Sequence, residues 1–341
     1  MSHKPTLSLI CLTLHQQPQQ SMSVPLQTPI LFLIFNRPDT TLEVFGEIRK
    51  AQPAKLYIAA DGPRANRPEE AEKCREARSI VNLVDWPCEV VTLFREENWG
   101  CKKAVSSSIT WFFEQVEEGI VLEDDCLPSP TFFTYCAELL ERYRHDDRVM
   151  HITGDGQVNN IQYGEGSYYF SPFPLIWGWA SWRRAWKHYD VTMASYPTFR
   201  ELNKIADLFP QENYQKMWTA KFDDLHSGRI DTWDYQWIYA VMSRRGLGII
   251  PNVNLITNIG FREDATHTTV AGAHLSAKPR TDMPKIVHPK FMIPNREAIV
   301  WIMIYCFFIK EYNPPLEKYA AYRFARSIYG GVRIGLGLNK G

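Results

Sequence analysis

The sequence predicts an α/β protein with a mostly parallel central sheet flanked by helices. Two observations point there. Between residues 29 and 125, apolar β-branched runs alternate with helical stretches, and each run stops at a polar turn. The composition permits it: of 341 residues, 45% are hydrophobic and 22% charged, ordinary values for a globular chain.

The first run, PILFLIFNRPD (29–39), is an apolar strand stopped by Asn-Arg-Pro. In TTLEVFGEIRKAQ, Leu42, Phe45 and Ile48 recur at helical spacing. KLYIAADGPR is a second strand ending in the turn cluster Asp61-Gly62-Pro63. An amphipathic helix follows in NRPEEAEKCREARSIVNLV, with Pro68 near its start. CEVVTLFREENWG gives a third strand, CKKAVSSSITWFFEQV a third helix and GIVLEDD a fourth strand. The second half is less regular. SPFPLIWGWASWRRAWKHYD is crowded with aromatics, a helix carries Trp233, Trp237 and Val241, and LGIIPNVNLITN reads as one or two further strands.

Net charge is zero, so no overall field favours nucleic acid. The balance is uneven, though: from Thr268 onward eleven Lys/Arg face four Asp/Glu. That tail contains AIVWIMIYCFFI (298–309), twelve uncharged residues, too short for a bilayer span of about 20. It reads as a buried helix, with an interfacial helix beside anionic lipid the alternative, helped by Arg323, Arg326 and Arg333. Seven scattered cysteines suit free thiols in a reducing cytosol. Residues 1–28 lack the length and cleavage site of a signal peptide and are expected to be mobile. The resulting division is a mobile segment (1–28), a nucleotide-binding half (29–150), an aromatic-rich acceptor half (151–268) and a basic helical tail (269–341). The default address is cytoplasmic, with peripheral contact at the inner membrane the variant on it.

The stretch GIVLEDDCLPSP poses a physical problem. Glu123, Asp124 and Asp125 follow a run that reads as a buried strand, and an unpaired carboxylate costs several kcal/mol to take out of water. In open α/β sheets ligands bind beyond the carboxyl ends of the strands. Asn36, Arg37, Asp61, Asn98 and the three acids all fall at such ends and should converge on one crevice. Neither GxGxxG nor GxxxxGK[ST] occurs, so a phosphate ligand here needs a divalent cation between it and the acids.

Seven segments in order, FNRP, ADGPR, NWGCKKAVSSSITWFF, VLEDDCLPSPTFF, LIWGWASW, WDYQW and NIGFREDATHT, carry a family pattern. The chain resembles the nucleotide-diphospho-sugar transferases of the GT-A fold, specifically the bacterial haemolytic-protein-like group. More distantly it resembles the N-acetylglucosaminyltransferase I family. The resemblance implies a Rossmann-like GT-A sheet and an inverting, metal-dependent glycosyltransferase. Its donor would be a nucleotide-diphospho-sugar, UDP-linked by preference, and its acceptor a surface or lipid-linked bacterial glycan.

Roles follow residue by residue. The resemblance puts Asp125 on Mn²⁺ or Mg²⁺, with His267 as a second ligand, and Glu123 and Asp124 on ribose or donor sugar. It gives Asp61 the nucleobase, Asn36 and Arg37 the nucleotide, and Lys102 with Lys103 the diphosphate. Asp234 is the expected general base, with Asp231 the fallback, because the distant relatives carry two adjacent acids before their tryptophan. Trp177, Gly178 and Trp179 would wall the acceptor side. Two rivals remain: a nucleotidyltransferase that makes the sugar nucleotide, and a non-catalytic carbohydrate-binding relative. FNRPDTT, without a Gly-rich basic loop, argues against the first.

Overall fold

The protein's structure is a computed structural model that describes residues 25–156, 161–261 and 278–307. The chain opens with β1 (Ile30–Ile34), α1 (Pro38–Ala51), β2 (Lys55–Ala60), α2 (Glu70–Arg78), β3 (Glu89–Phe94), α3 (Gly100–Gln115) and β4 (Glu118–Glu123). The four strands and three helices expected from the apolar runs are therefore all present. β5 (Cys126–Pro128), α4 (Pro130–Tyr143), β6 (Val149–Thr153), β7 (Tyr168–Ser171) and β8 (Trp179–Trp182) follow. Next come α5 (Arg183–Trp186), α6 (Tyr196–Glu201), α7 (Glu212–His226), α8 (Asp234–Ser243), β9 (Leu247–Pro251), β10 (Ile256–Asn258) and α9 (Arg296–Tyr305).

Eight strands form one sheet in the order β3-β2-β1-β4-β8-β6-β9-β7. β1 pairs in parallel with β2 on one side and β4 on the other, while β8 runs antiparallel to both β4 and β6. β6 therefore points the same way as β4, and β9 runs parallel to it. The carboxyl ends of β1–β4, β6 and β9 thus share one rim. Successive strands step outward from β1 to β3, then the chain returns to β4 on the far side of β1. That reversal is a topological switch point, the place at which open α/β sheets bind their ligands. The architecture is the mixed α/β sheet flanked by helices that the sequence predicts.

The two-residue period of β1 sorts its side chains between two cores. Ile30, Phe32 and Ile34 pack with Val44, Phe45 and Ile48 of α1 and Phe132 and Leu139 of α4. Leu31 and Leu33 pack with Ile109, Phe112 and Phe113 of α3 and Trp237 of α8. The first core also takes Ile152, Trp182 and Ile249, so the halves divided at residue 150 share one interior. A third, aromatic core gathers Phe173, Trp218 and Phe222 with Trp301 and Ile302 of α9. The tail's apolar stretch is therefore a buried helix over its described part, not an interfacial one. Among the described residues no helix is long and apolar enough to cross a membrane, and the six described cysteines are free thiols.

Candidate functional site

The switch point lies between the ends of β1 and β4, and both contribute charge to it. Arg37 follows β1 as the N-cap residue of α1. Its Nη1 donates to Asp125 Oδ2 at 3.0 Å, with the two side chains 16% and 20% exposed. Asp124 Oδ2 accepts the backbone N–H of Phe35 at 3.0 Å, which ties the end of β4 to the end of β1. The Asp125 carbonyl accepts from Ile259 N at 2.8 Å, continuing the antiparallel β5–β10 ribbon. A Cβ on Gly260 would collide with the Asp125 carboxylate, so glycine there lets the acid and the ribbon close on each other.

Among the described residues positive charge falls short of negative charge here. Burial, then the fields of Asp125, Asp124 and Asp234, hold the Glu123 carboxyl well above the usual range, and Arg37 opposes them. Burial and Asp125 push Asp124 up to about 7, again against Arg37. Asp125 is raised by burial, with Arg37 pulling the other way. Carboxylate oxygens in excess of local positive charge are the donors that hard divalent cations take. Among the described residues no three acidic, histidine or cysteine side chains stand together as a finished ligand set. Asp125 Oδ2 is already engaged by Arg37. The donor chemistry fits a cation; the ligand geometry is not preassembled.

The other expected residues distribute unevenly around this cluster. Asp234 opens α8, and its carboxylate accepts from the Thr232 hydroxyl. Burial raises its pKa, and its field adds to those that raise Glu123. Asp231 is exposed, whereas Asp234 is half-buried. Cys101, which sequence reasoning passed over, sits amid this charge. Burial and the fields of Glu123, Asp234, Asp231 and Asp61 push its thiol to about 12, leaving it protonated. Asn36 is half-buried beside Arg37. Lys103 places its ammonium 4.0 Å from the Trp99 ring centroid, and Lys102 is half-buried one residue earlier on α3. His267 lies outside the described residues.

One expected residue, Trp179, needs correction, and another, Asp61, already has partners within the chain. The Asp61 carboxylate accepts Trp99 N at 2.9 Å, Gly100 N at 3.1 Å and Asn98 Nδ2 at 2.9 Å. It caps the first turn of α3 from the end of β2, with all three donors within reach of Oδ2 and only Trp99 N also reaching Oδ1. Trp179 is 0% exposed and packs face to face with His151, Trp233 and Trp237. It belongs to the core and cannot wall an acceptor. Gly178, at φ +56°, packs against Ile256 and Leu122. Trp177 remains half-buried at the rim, with Phe261 at 5.6 Å and Lys278 Nζ at 5.4 Å from its ring.

A 270 Å³ apolar pocket lined by Leu208, Phe209, Tyr214, Met242 and Leu247 lies at the amino end of β9, the opposite rim. It shares no residue with the acid cluster.

Comparison with protein-family models gave no match, and no curated protein matches the chain. Among solved structures, S. aureus TarS 1–349 is similar over 48% of this chain and 50% of its own, at 10% identity and a TM-score of 0.32. The chain thus spans half the length of that structure. The inositol-1-phosphate CTP transferase from T. maritima is similar over 48% of this chain and 73% of that one, at 8% identity and a TM-score of 0.29.

Proposed function

We propose that this protein is a metal-dependent, inverting glycosyltransferase that moves a sugar from a nucleotide-diphospho-sugar, a UDP-sugar by preference, to a glycan or lipid-linked acceptor. The observation behind this reading is the surplus of carboxylate at the switch point: Glu123, Asp124, Asp125 and Asp234 against Arg37. A surplus of that kind at strand ends suits a ligand that brings a cation and hydroxyl groups together.

In this reading Asp125 holds Mn²⁺ or Mg²⁺, which supplies Lewis-acid stabilisation of the leaving diphosphate. Glu123 and Asp124 accept hydrogen bonds from ribose or donor-sugar hydroxyls. Arg37 and Asn36 bind the nucleotide side, and Lys102 adds positive charge near the diphosphate. Asp234 takes the proton from the acceptor hydroxyl at its carboxylate; its raised pKa suits a base that must accept one. Trp177 offers a ring face to an acceptor sugar.

The test combines binding and turnover. Thermal unfolding is followed with UDP, GDP, CDP and dTDP, each with and without Mn²⁺. A diphosphate at 100 times its dissociation constant should stabilise the fold by about 2.7 kcal/mol, and only with metal. Asp234→Asn should keep that stabilisation and lose turnover by about 10²–10⁴-fold. If no diphosphate stabilises the protein with Mn²⁺, the reading fails and a non-catalytic role takes its place.

A further inference from the structure

We propose that Arg37 is the resident counter-ion of the acid cluster, holding Asp125 until a nucleoside diphosphate draws the guanidinium away, so that metal binding depends on the diphosphate. This rests on the donor site proposed above and adds an order of events to it.

The geometry makes the arginine the movable partner. Asp125 is fixed from three sides: its chain leaves β4, its carbonyl accepts from Ile259 N at 2.8 Å, and Gly260 backs its carboxylate. Asp124 beside it is fastened to Phe35 N at 3.0 Å. Arg37 is anchored only through its backbone, where its carbonyl accepts Thr41 N at 3.0 Å at the start of α1. Its guanidinium meets Asp125 by a single contact from Nη1, although such a fork can grip a carboxylate or phosphate by two. The side chain is 16% exposed and that of Asp125 20%, so solvent reaches both partners of the pair.

Charge supplies the coupling. A divalent ion arriving alone at Asp125 Oδ2 must share that oxygen with a guanidinium of the same sign, which disfavours it. A diphosphate offers Arg37 a better partner and leaves Asp125 free. Metal and diphosphate then favour each other, and by linkage the factor is the same from either direction.

The experiment measures Mn²⁺ binding to the full chain by titration calorimetry, with and without UDP, and then UDP binding in EDTA. Wild type should bind Mn²⁺ weakly alone and more tightly with UDP. Arg37→Gln should bind Mn²⁺ alone about tenfold more tightly, within the 5- to 150-fold range usual for coupled sites, and lose most of the UDP effect. Asp125→Asn should raise metal-free UDP affinity in the wild-type background and change it little in Arg37→Gln. That cycle keeps the proposal testable if one variant folds poorly. Unchanged or weaker Mn²⁺ binding by Arg37→Gln, with wild type still binding Mn²⁺ and UDP together, overturns this proposal alone. Absence of Mn²⁺ binding by wild type with any of UDP, GDP, CDP or dTDP overturns the donor site and this proposal with it.

Discussion

At the end of β6, Asp155 meets Lys278 in an ion pair whose side chains are only 10% and 7% exposed. The ammonium also donates to the Gly156 carbonyl at 3.1 Å and lies over the Trp177 ring. At the end of β4, on the same rim, three consecutive acids and Asp234 face one arginine. In the first region every charge is answered from within the chain, as burial demands. In the second the described residues leave the acids outnumbering the one arginine. The contrast separates two uses of buried charge. A closed pair fixes the fold, while the outnumbered arginine is the observation on which the proposed donor site rests.

The comparison can be broken most severely at the closed pair. Lys278→Met strands Asp155 in a buried site and should destabilise the protein by about 3–5 kcal/mol in urea unfolding. Adding Asp155→Leu should recover much of that loss; if it does not, the pair is not what Lys278 contributes. A smaller effect concerns His151, another buried group satisfied from within: Nε2 bonds the Leu175 carbonyl at 2.7 Å, and Nδ1 accepts Trp237 Nε1 at 3.2 Å. Burial lowers its pKa from 6.5 to about 3. The unfolded chain therefore takes up a proton first as pH falls. Stability is full above about 6.5 and should drop by roughly 2–3 kcal/mol by pH 4.5. His151→Phe should flatten that slope, whatever it does to stability at pH 7. The smallest change has the opposite sign. Glu123→Gln removes one of the repelling acids and should stabilise the ligand-free protein by on the order of 1 kcal/mol. It should also weaken donor binding, and a destabilised Glu123→Gln would mean that the cluster is as balanced as the closed pair.

The first four strands were legible because each is a short apolar run that stops at polar or charged residues. β6, β7 and β8 were not. β7 and β8 are four-residue aromatic runs, β6 carries a histidine at its centre, and their polar members are satisfied only in the folded chain: Ser181 Oγ donates to the Met150 carbonyl at 2.8 Å, and His151 relies on Leu175 and Trp237. The strand-end acids and Arg37 could be found because sheet topology brings strand ends together. Asp155 and Lys278 are 123 residues apart, and no local pattern links them. Trp177 and Trp179 looked alike in a run of aromatics. Gly178, in the left-handed region between them, separates a rim residue from a core one.

The clasp that backs Asp125 has a consequence for how the chain is made. Its partners, Ile259 and Gly260, emerge from the ribosome long after the acids do. The ribbon they belong to is itself held by Thr281 N on the Asn254 carbonyl at 2.7 Å, later still. At roughly 5–20 residues per second, the acids wait on the order of ten seconds for their frame. A nascent chain halted before Asn258 therefore has every acid of the β4 end and Arg37 to pair with Asp125, but not the ribbon that backs it.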